Sequence, residues 1–180
     1  FETDTACAGS SVDLKGQAQL SQGILTQFSW DLGDGRSLNG KQVQPTYNNS
    51  GTFQVTFSAT SDQGCQADTQ QPVKVKASPE ANFASDTVCF GSAFTLTEKA
   101  DPNGTSIQGY QWDLDNGQSV SGPSFNPDYS AAGNYAVTFT VEAANSCKDA
   151  MTKNVALLPA PEAQFSVSEG CEGKPLSFTN

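Results

Sequence analysis

Phe53, Val55, Phe57 and Ala59 alternate with Gln54, Thr56 and Ser58, and Tyr135, Val137, Phe139 and Val141 alternate with Ala136, Thr138 and Thr140. A period of two is that of a strand with one buried face. Shorter stretches of the same character predict strands over Phe1–Thr3, Val12–Ala18, Leu25–Leu32, Ser37–Val43 and Pro72–Val75, and the second half of the chain repeats them. Sustained helical periodicity is absent. Asp34-Gly35 and Asn116-Gly117 stand where two strands must be joined tightly, and both dipeptides suit a type I′ hairpin. About seven short strands with turns at regular spacing predict an all-β fold of antiparallel sandwiches.

The pattern recurs in a fixed register. A shift of 82 residues lays Phe1 on Phe83 and Phe165, Trp30-Asp31-Leu32 on Trp112-Asp113-Leu114, and Val55-Thr56-Phe57 on Val137-Thr138-Phe139. It also lays Tyr47 on Tyr129 and Gly51 on Gly133. Such self-similarity decides domain organisation: two complete units, residues 1–82 and 83–164, and the opening of a third over 165–180. The third copy breaks off within its second strand, so a longer array is expected.

The cysteines keep the same step, with Cys7, Cys89 and Cys171 forming one series and Cys65 and Cys147 the other. Units of this size lie near the lower limit at which one core suffices, so a covalent staple is expected. The chain has no histidine and no Cys-x-x-Cys, which removes the usual zinc arrangements. The spacing is read as intradomain bridges Cys7–Cys65 and Cys89–Cys147, each stabilising by roughly 4 kcal/mol through loop closure, with the partner of Cys171 beyond the end. Disulfides imply an oxidising compartment, meaning periplasm, cell surface or outside the cell, and hence an exported chain.

A net charge of −10 with nine basic residues argues against nucleic acid and anionic membranes as partners. No stretch reaches the roughly 20 apolar residues of a spanning helix, so no direct membrane insertion is expected; an export signal would lie upstream. Without histidine the common nucleophilic triads are excluded, and Asp34 becomes Asn116 in the second unit, which no catalytic acid would survive. The reading is therefore of a non-enzyme without a cofactor. The one metal alternative is calcium on the carboxylates of Asp31, Asp34, Asp113 and Asp115, set against their use as acceptors for turn amides. Trp30 and Trp112 are read as core indoles on the strand equivalent to strand C of an immunoglobulin-like sandwich. Tyr47 and Tyr129 are read as corner tyrosines whose hydroxyls satisfy backbone groups.

Trp30-Asp31-Leu32-Gly33-Asp34-Gly35, then Tyr47, the run from Gly51 to Phe57 and Gly64-Cys65, resembles the PKD domain, whose usual signature is Trp-Asp-Phe-Gly-Asp-Gly. The second unit matches through Trp112, Asp113, Gly117, Tyr129, Gly133 and Ser146-Cys147, and departs at Asp115 and Asn116. The resemblance implies tandem immunoglobulin-like sandwiches, which short, stiff joints between units would arrange as a rod. The cysteine-bearing form is similar to PKD repeats of very large Bacteroidota surface proteins. That likeness implies type IX secretion and work as adhesins, gliding-motility filaments among them, with Thr5 and Thr87 as O-glycosylation candidates.

The joints Val73–Phe83 and Val155–Phe165 pass from a last strand into a first with little slack, and their prolines make them stiff. The leading expectation is a stalk or filament segment of an exported adhesin, its partners being neighbouring repeats. The alternatives are a module binding surface polysaccharide or another cell-surface protein, and an accessory array of an extracellular hydrolase.

Overall fold

The computed structural model describes residues 1–3, 5–167, 173, 178 and 179. Among these the chain is all-β, without a helix. The first eight strands are β1 (Glu2–Thr3), β2 (Ala6–Cys7), β3 (Leu14–Lys15), β4 (Leu25–Asp31), β5 (Ser37–Asn39), β6 (Gln42–Val43), β7 (Gly51–Ser61) and β8 (Gln66–Lys76). They form a five-stranded sheet in the order β2-β8-β7-β4-β5, faced by a three-stranded sheet β1-β3-β6.

The next eight repeat the plan as β9 (Phe83–Ala84), β10 (Val88–Cys89), β11 (Leu96–Glu98), β12 (Ile107–Asp113), β13 (Ser119–Ser121), β14 (Ser124–Phe125), β15 (Gly133–Ala143) and β16 (Lys148–Leu158). Their sheets are β10-β16-β15-β12-β13 and β14-β11-β9. A short pair, β17 (Ser166–Val167) with β18 (Phe178–Thr179), follows. Cys171 and most of the expected third copy lie outside the described residues.

Alternation along β7 buries Val55, Phe57 and Ala59 on the face that meets the smaller sheet. Trp30 lies in the middle of this core, 4.6 Å from Phe57 and met edge-on by Phe1 at 5.1 Å. Trp112 repeats the arrangement with Phe139 at 4.2 Å and Phe83 at 5.2 Å. Each indole N–H donates to a glycine carbonyl, Gly40 or Gly122, at 2.9 Å, which removes the penalty of burying it.

Strand β8 begins six residues before the predicted Pro72. Its first half, Gln66–Gln70, is exposed and polar, so no alternation marks it; ten register pairs with β7 define it instead.

The hairpins at Asp34-Gly35 and Asn116-Gly117 are not the two-residue type I′ turns that the dipeptides predict. Positive φ falls on alternate residues, Gly33 (71°) and Gly35 (91°), and again on Asp115 (59°) and Gly117 (80°). The reason is a five-residue loop closed by Leu32 N–H donating to the Arg36 carbonyl at 3.0 Å, with Leu114 and Gln118 repeating it at 3.1 Å.

Strands β7 and β8 run antiparallel, so their connecting turn, Asp62–Cys65, caps one end of the sandwich. Lys76, where β8 stops, lies at the other. The chain leaves there and enters the second sandwich beside its β15–β16 turn, so the two sandwiches stand end to end.

Candidate functional site: the bridged joint

Cys7 and Cys147 form the disulfide of the described chain, with Cα atoms 5.7 Å apart. Cys65 and Cys89 are free and exposed. This corrects the expected pairs Cys7–Cys65 and Cys89–Cys147. Cys7 sits beside Lys76 at the foot of β8, in parallel register with it, whereas Cys65 precedes the first residue of that same strand. Ten residue steps of strand separate the two positions, about 33 Å, against the roughly 7 Å a disulfide spans. The same holds for Cys89, paired with Leu158 at the foot of β16, and Cys147 at its head.

The joint places Cys7 opposite the β15–β16 turn because one unit's lower end is seated on the next unit's upper end. Polar contacts complete the seat. Asp149 accepts the Ala81 amide at 2.7 Å, and the Asn145 side chain donates to the Ala77 carbonyl at 2.8 Å. Lys76 donates to the Asn145 carbonyl at 3.1 Å, and Asn103 to the Ser78 carbonyl at 3.1 Å. Ser78 itself donates to the Ala8 carbonyl at 2.7 Å. Beyond the seat, Glu80 and Asp101 exchange backbone hydrogen bonds, so the connecting segment is held almost from the residue at which it leaves β8.

Sequence reasoning passed over these residues. Their signal is a local break in the repeat: Asn103, Asn145 and Asp149 of the second unit correspond to Ser21, Gln63 and Ala67 of the first. A cleft of about 490 Å³, lined by Asn48, Asn49, Ser78, Glu80, Asn103 and Asp149 among others, opens at the joint. A second cleft of about 570 Å³ lies on the large sheet of the second sandwich, between Gln108, Tyr110, Gln111, Ser121, Glu142 and Lys148; Lys148 and Glu142 pair at 3.1 Å within it.

The carboxylates considered for calcium are directed at backbone amides. Asp31 accepts from Gly33 at 2.9 Å, Asp34 from Arg36 at 3.0 Å, and Asp113 from Asp115 at 3.2 Å. Asp115 reaches the Ala136 amide at 3.0 Å. Asn116 keeps the turn contact of Asp34, accepting from the Gln118 amide at 3.0 Å. Among the described residues no three Asp, Glu, His or Cys side chains converge as metal ligands would.

Asp34 also binds the Arg36 guanidinium, at 2.6 Å, and this hydrogen bond holds its carboxyl below the usual aspartate range. Gly51 and Gly133 open β7 and β15.

Tyr47 is buried and donates to the Leu32 carbonyl at 2.9 Å. Tyr129 is buried, but its hydroxyl has no partner; it stacks on Tyr135 at 3.9 Å. Burial pushes both phenols up to about 12. Thr5 and Thr87 are exposed, just before β2 and β10.

A family model described as "PKD domain" matches the chain twice, over residues 1–77 and 76–157. Among curated proteins, the pre-pro-metalloprotease PrtV of Vibrio cholerae serotype O1 (strains M66-2 and ATCC 39315) is 26% identical over 136 residues. That match covers 74% of this chain and 15% of the relative. Among solved structures, the fibronectin(III)-like modules of Clostridium thermocellum CbhA are similar at 13% identity and a TM-score of 0.39, covering 87% of this chain and 90% of that one. The full ectodomain of mouse nectin-like molecule 4 is similar at 16% identity and a TM-score of 0.36, covering 91% and 65%.

Proposed function

Since the chain belongs to the PKD-domain family, we propose that it is an extracellular spacer, a tension-carrying stalk or filament segment of an exported cell-surface adhesin. Its units are taken as 1–82 and 83–164, with a third opening at 165, and its immediate partners are neighbouring repeats. The observation that carries this reading is the disulfide across the joint, between residues 140 apart in sequence. A covalent bond between sandwiches serves fixed spacing, and it needs an oxidising environment to form. The hydrogen-bonded seat around Asp149, Asn145 and Lys76 serves the same end. The described segment works without catalysis of its own. The resemblance to cysteine-bearing Bacteroidota repeats favours type IX export and a place in a gliding-motility adhesin.

Small-angle scattering tests the reading. Two end-to-end sandwiches of roughly 40 Å each give a radius of gyration of about 25 Å, where a compact globule of this length gives about 16 Å. The smaller value would remove the stalk.

A binding role is the second reading, favoured by the cleft around Tyr110, whose amide, hydroxyl and ring groups suit a polysaccharide. Retention on a glycan array that is lost in Tyr110→Ala would promote it. The relative's name, a metalloprotease, supports a third setting, an accessory array of an extracellular hydrolase, decided by whether the complete protein carries a catalytic domain.

A further inference from the structure

The two free thiols occupy the same places as the two bridged ones. Val88-Cys89 runs parallel to Leu157-Leu158 just as Ala6-Cys7 runs parallel to Val75-Lys76. The following turns match as well: Ser92 N–H donates to the Cys89 carbonyl at 3.0 Å, and Ser10 N–H to that of Cys7 at 3.0 Å. At the other end, Ser61 N–H donates to the Cys65 carbonyl at 2.9 Å, as Ala143 N–H does to that of Cys147 at 2.8 Å. The residue before each of these cysteines has positive φ, Gly64 at 80° and Ser146 at 69°. Each free thiol is thus presented in the backbone frame of a half-joint.

The surfaces around them supply an independent observation. Beside Cys89, Phe90 and Leu158 are 36% and 50% exposed; at the Cys65 end, Leu20 and Ile24 are 43% and 68% exposed. Ile24 is fixed to the Cys65 turn by the hydrogen bond from Asp62 N–H to its carbonyl, 2.9 Å. These are four of the six large apolar side chains that the described residues leave exposed, and they stand at the two open ends. At the closed joint the same repeat positions hold Ala8, Lys76, Pro102 and Ser106, and Cys147 there is fully buried. The lower end that carries Phe90 and Leu158 is apolar, and so is the upper end that carries Leu20 and Ile24. At the closed joint Ala8 is half-buried and Lys76, Pro102 and Ser106 remain exposed, with Lys76 reaching across to the Asn145 carbonyl.

We propose that both open ends are seats for further copies of the same unit, and that every joint of the array carries the bridge seen between Cys7 and Cys147. Cys89 joins the turn cysteine of the following copy, near position 229 in the repeat register, and Cys65 joins the early cysteine of the copy before. Each bond forms as two thiols give up two protons and two electrons to a disulfide-bearing oxidant, which leaves as two thiols. Successive loops then overlap, and every unit is tied covalently to both neighbours. The inference rests on the spacer reading only for the presence of flanking copies.

Peptide mapping of the full natural protein tests it. The protein is alkylated without reductant, digested, and its linked peptides sequenced by mass spectrometry. The expected result is Cys89 linked to the turn cysteine of the next copy, Cys65 linked to the early cysteine of the previous one, and neither alkylated. Alkylated Cys65 and Cys89, a Cys65–Cys89 link, or bridges within single units would overturn it.

A Cys89→Ser variant provides a second readout: one new alkylatable thiol, on the turn of the following copy, with Cys7–Cys147 retained. A thiol appearing at Cys147 instead, or none, would also overturn it. A compact particle in scattering would sink the stalk and leave this map unchanged, so the two failures are separable.

Discussion

Cys7 and Cys147 hold their Cα atoms 5.7 Å apart across 140 residues of sequence, so the bond between them encloses nearly all of both sandwiches. Tension applied at the two ends of the chain passes from one sulfur to the other and bypasses everything between them. Single-molecule pulling is therefore expected to release about 490 Å less contour length in the oxidised chain than in the reduced one, at ~3.5 Å per residue. In solution the bridge should stabilise the pair by up to about 5 kcal/mol in the chain-entropy treatment. Equal unfolding lengths with and without reductant would show that the bond is not in the force path.

The two corner tyrosines make an internal comparison. Tyr47 donates to the Leu32 carbonyl, so Tyr47→Phe leaves a buried acceptor without its donor and is expected to cost about 1–2 kcal/mol. Tyr129 has a buried hydroxyl without a partner, so Tyr129→Phe is expected to be neutral or stabilising by up to about 1 kcal/mol. Urea denaturation of the two variants checks the order, and a larger loss for Tyr129→Phe would contradict it. Both phenols ionise near 12 when folded and near 10 when unfolded. Their contribution is complete below pH 10 and is lost as pH rises through 12.

The fold was legible because alternation in β7 and β15, the buried Trp30 and Trp112, and the register between the two halves all point to paired sandwiches. The cysteine connectivity was not, and the repeat itself explains why. A link from an early cysteine to the turn cysteine 58 residues on and a link to the one 140 residues on differ by one full step of 82, so both satisfy the periodicity. Strand length separates them, and the exposed polar stretch Gln66–Gln70 concealed how far β8 reaches. The residues that build the joint, Asn145 and Asp149 above all, are among those that do not repeat. A search for self-similarity discards them for that reason.

Asp34 gives the first unit a pH response that the second lacks. Its hydrogen bond from Arg36 lowers its folded pKa, so the stabilisation is present above about pH 4, the unfolded value, and is lost as pH falls through the folded one. Asp34→Asn should lower the melting temperature of the first unit near pH 7, by an amount that shrinks as pH falls below about 4. Asn116→Asp should produce no matching gain, because Gln118 stands where Arg36 does. A melting-temperature difference between wild type and Asp34→Asn that stays the same from pH 7 down into acid would refute the assignment.

Gly33 and Asp115 solve one steric problem in two ways. A Cβ on Gly33 would lie 2.6 Å from the Gln54 carbonyl oxygen, and φ there is 71°. Gly33→Ala must therefore push β7 away from the hairpin as well as accept a left-handed backbone, and a cost of about 2–3 kcal/mol is expected. Asp115 takes the same left-handed conformation and offsets part of the strain by accepting the amide of Ala136, the residue one repeat step after Gln54. Aspartate also visits this region more readily than alanine. Gly33→Asp should consequently be milder than Gly33→Ala, although aspartate is the larger residue. Asp115→Ala, which keeps the strained φ and removes the acceptor, should cost about 1–3 kcal/mol. Chemical denaturation of the three variants decides the point: if Gly33→Asp is the most damaging, the carboxylate does not compensate in the first unit, and β7 and β15 approach their hairpins differently.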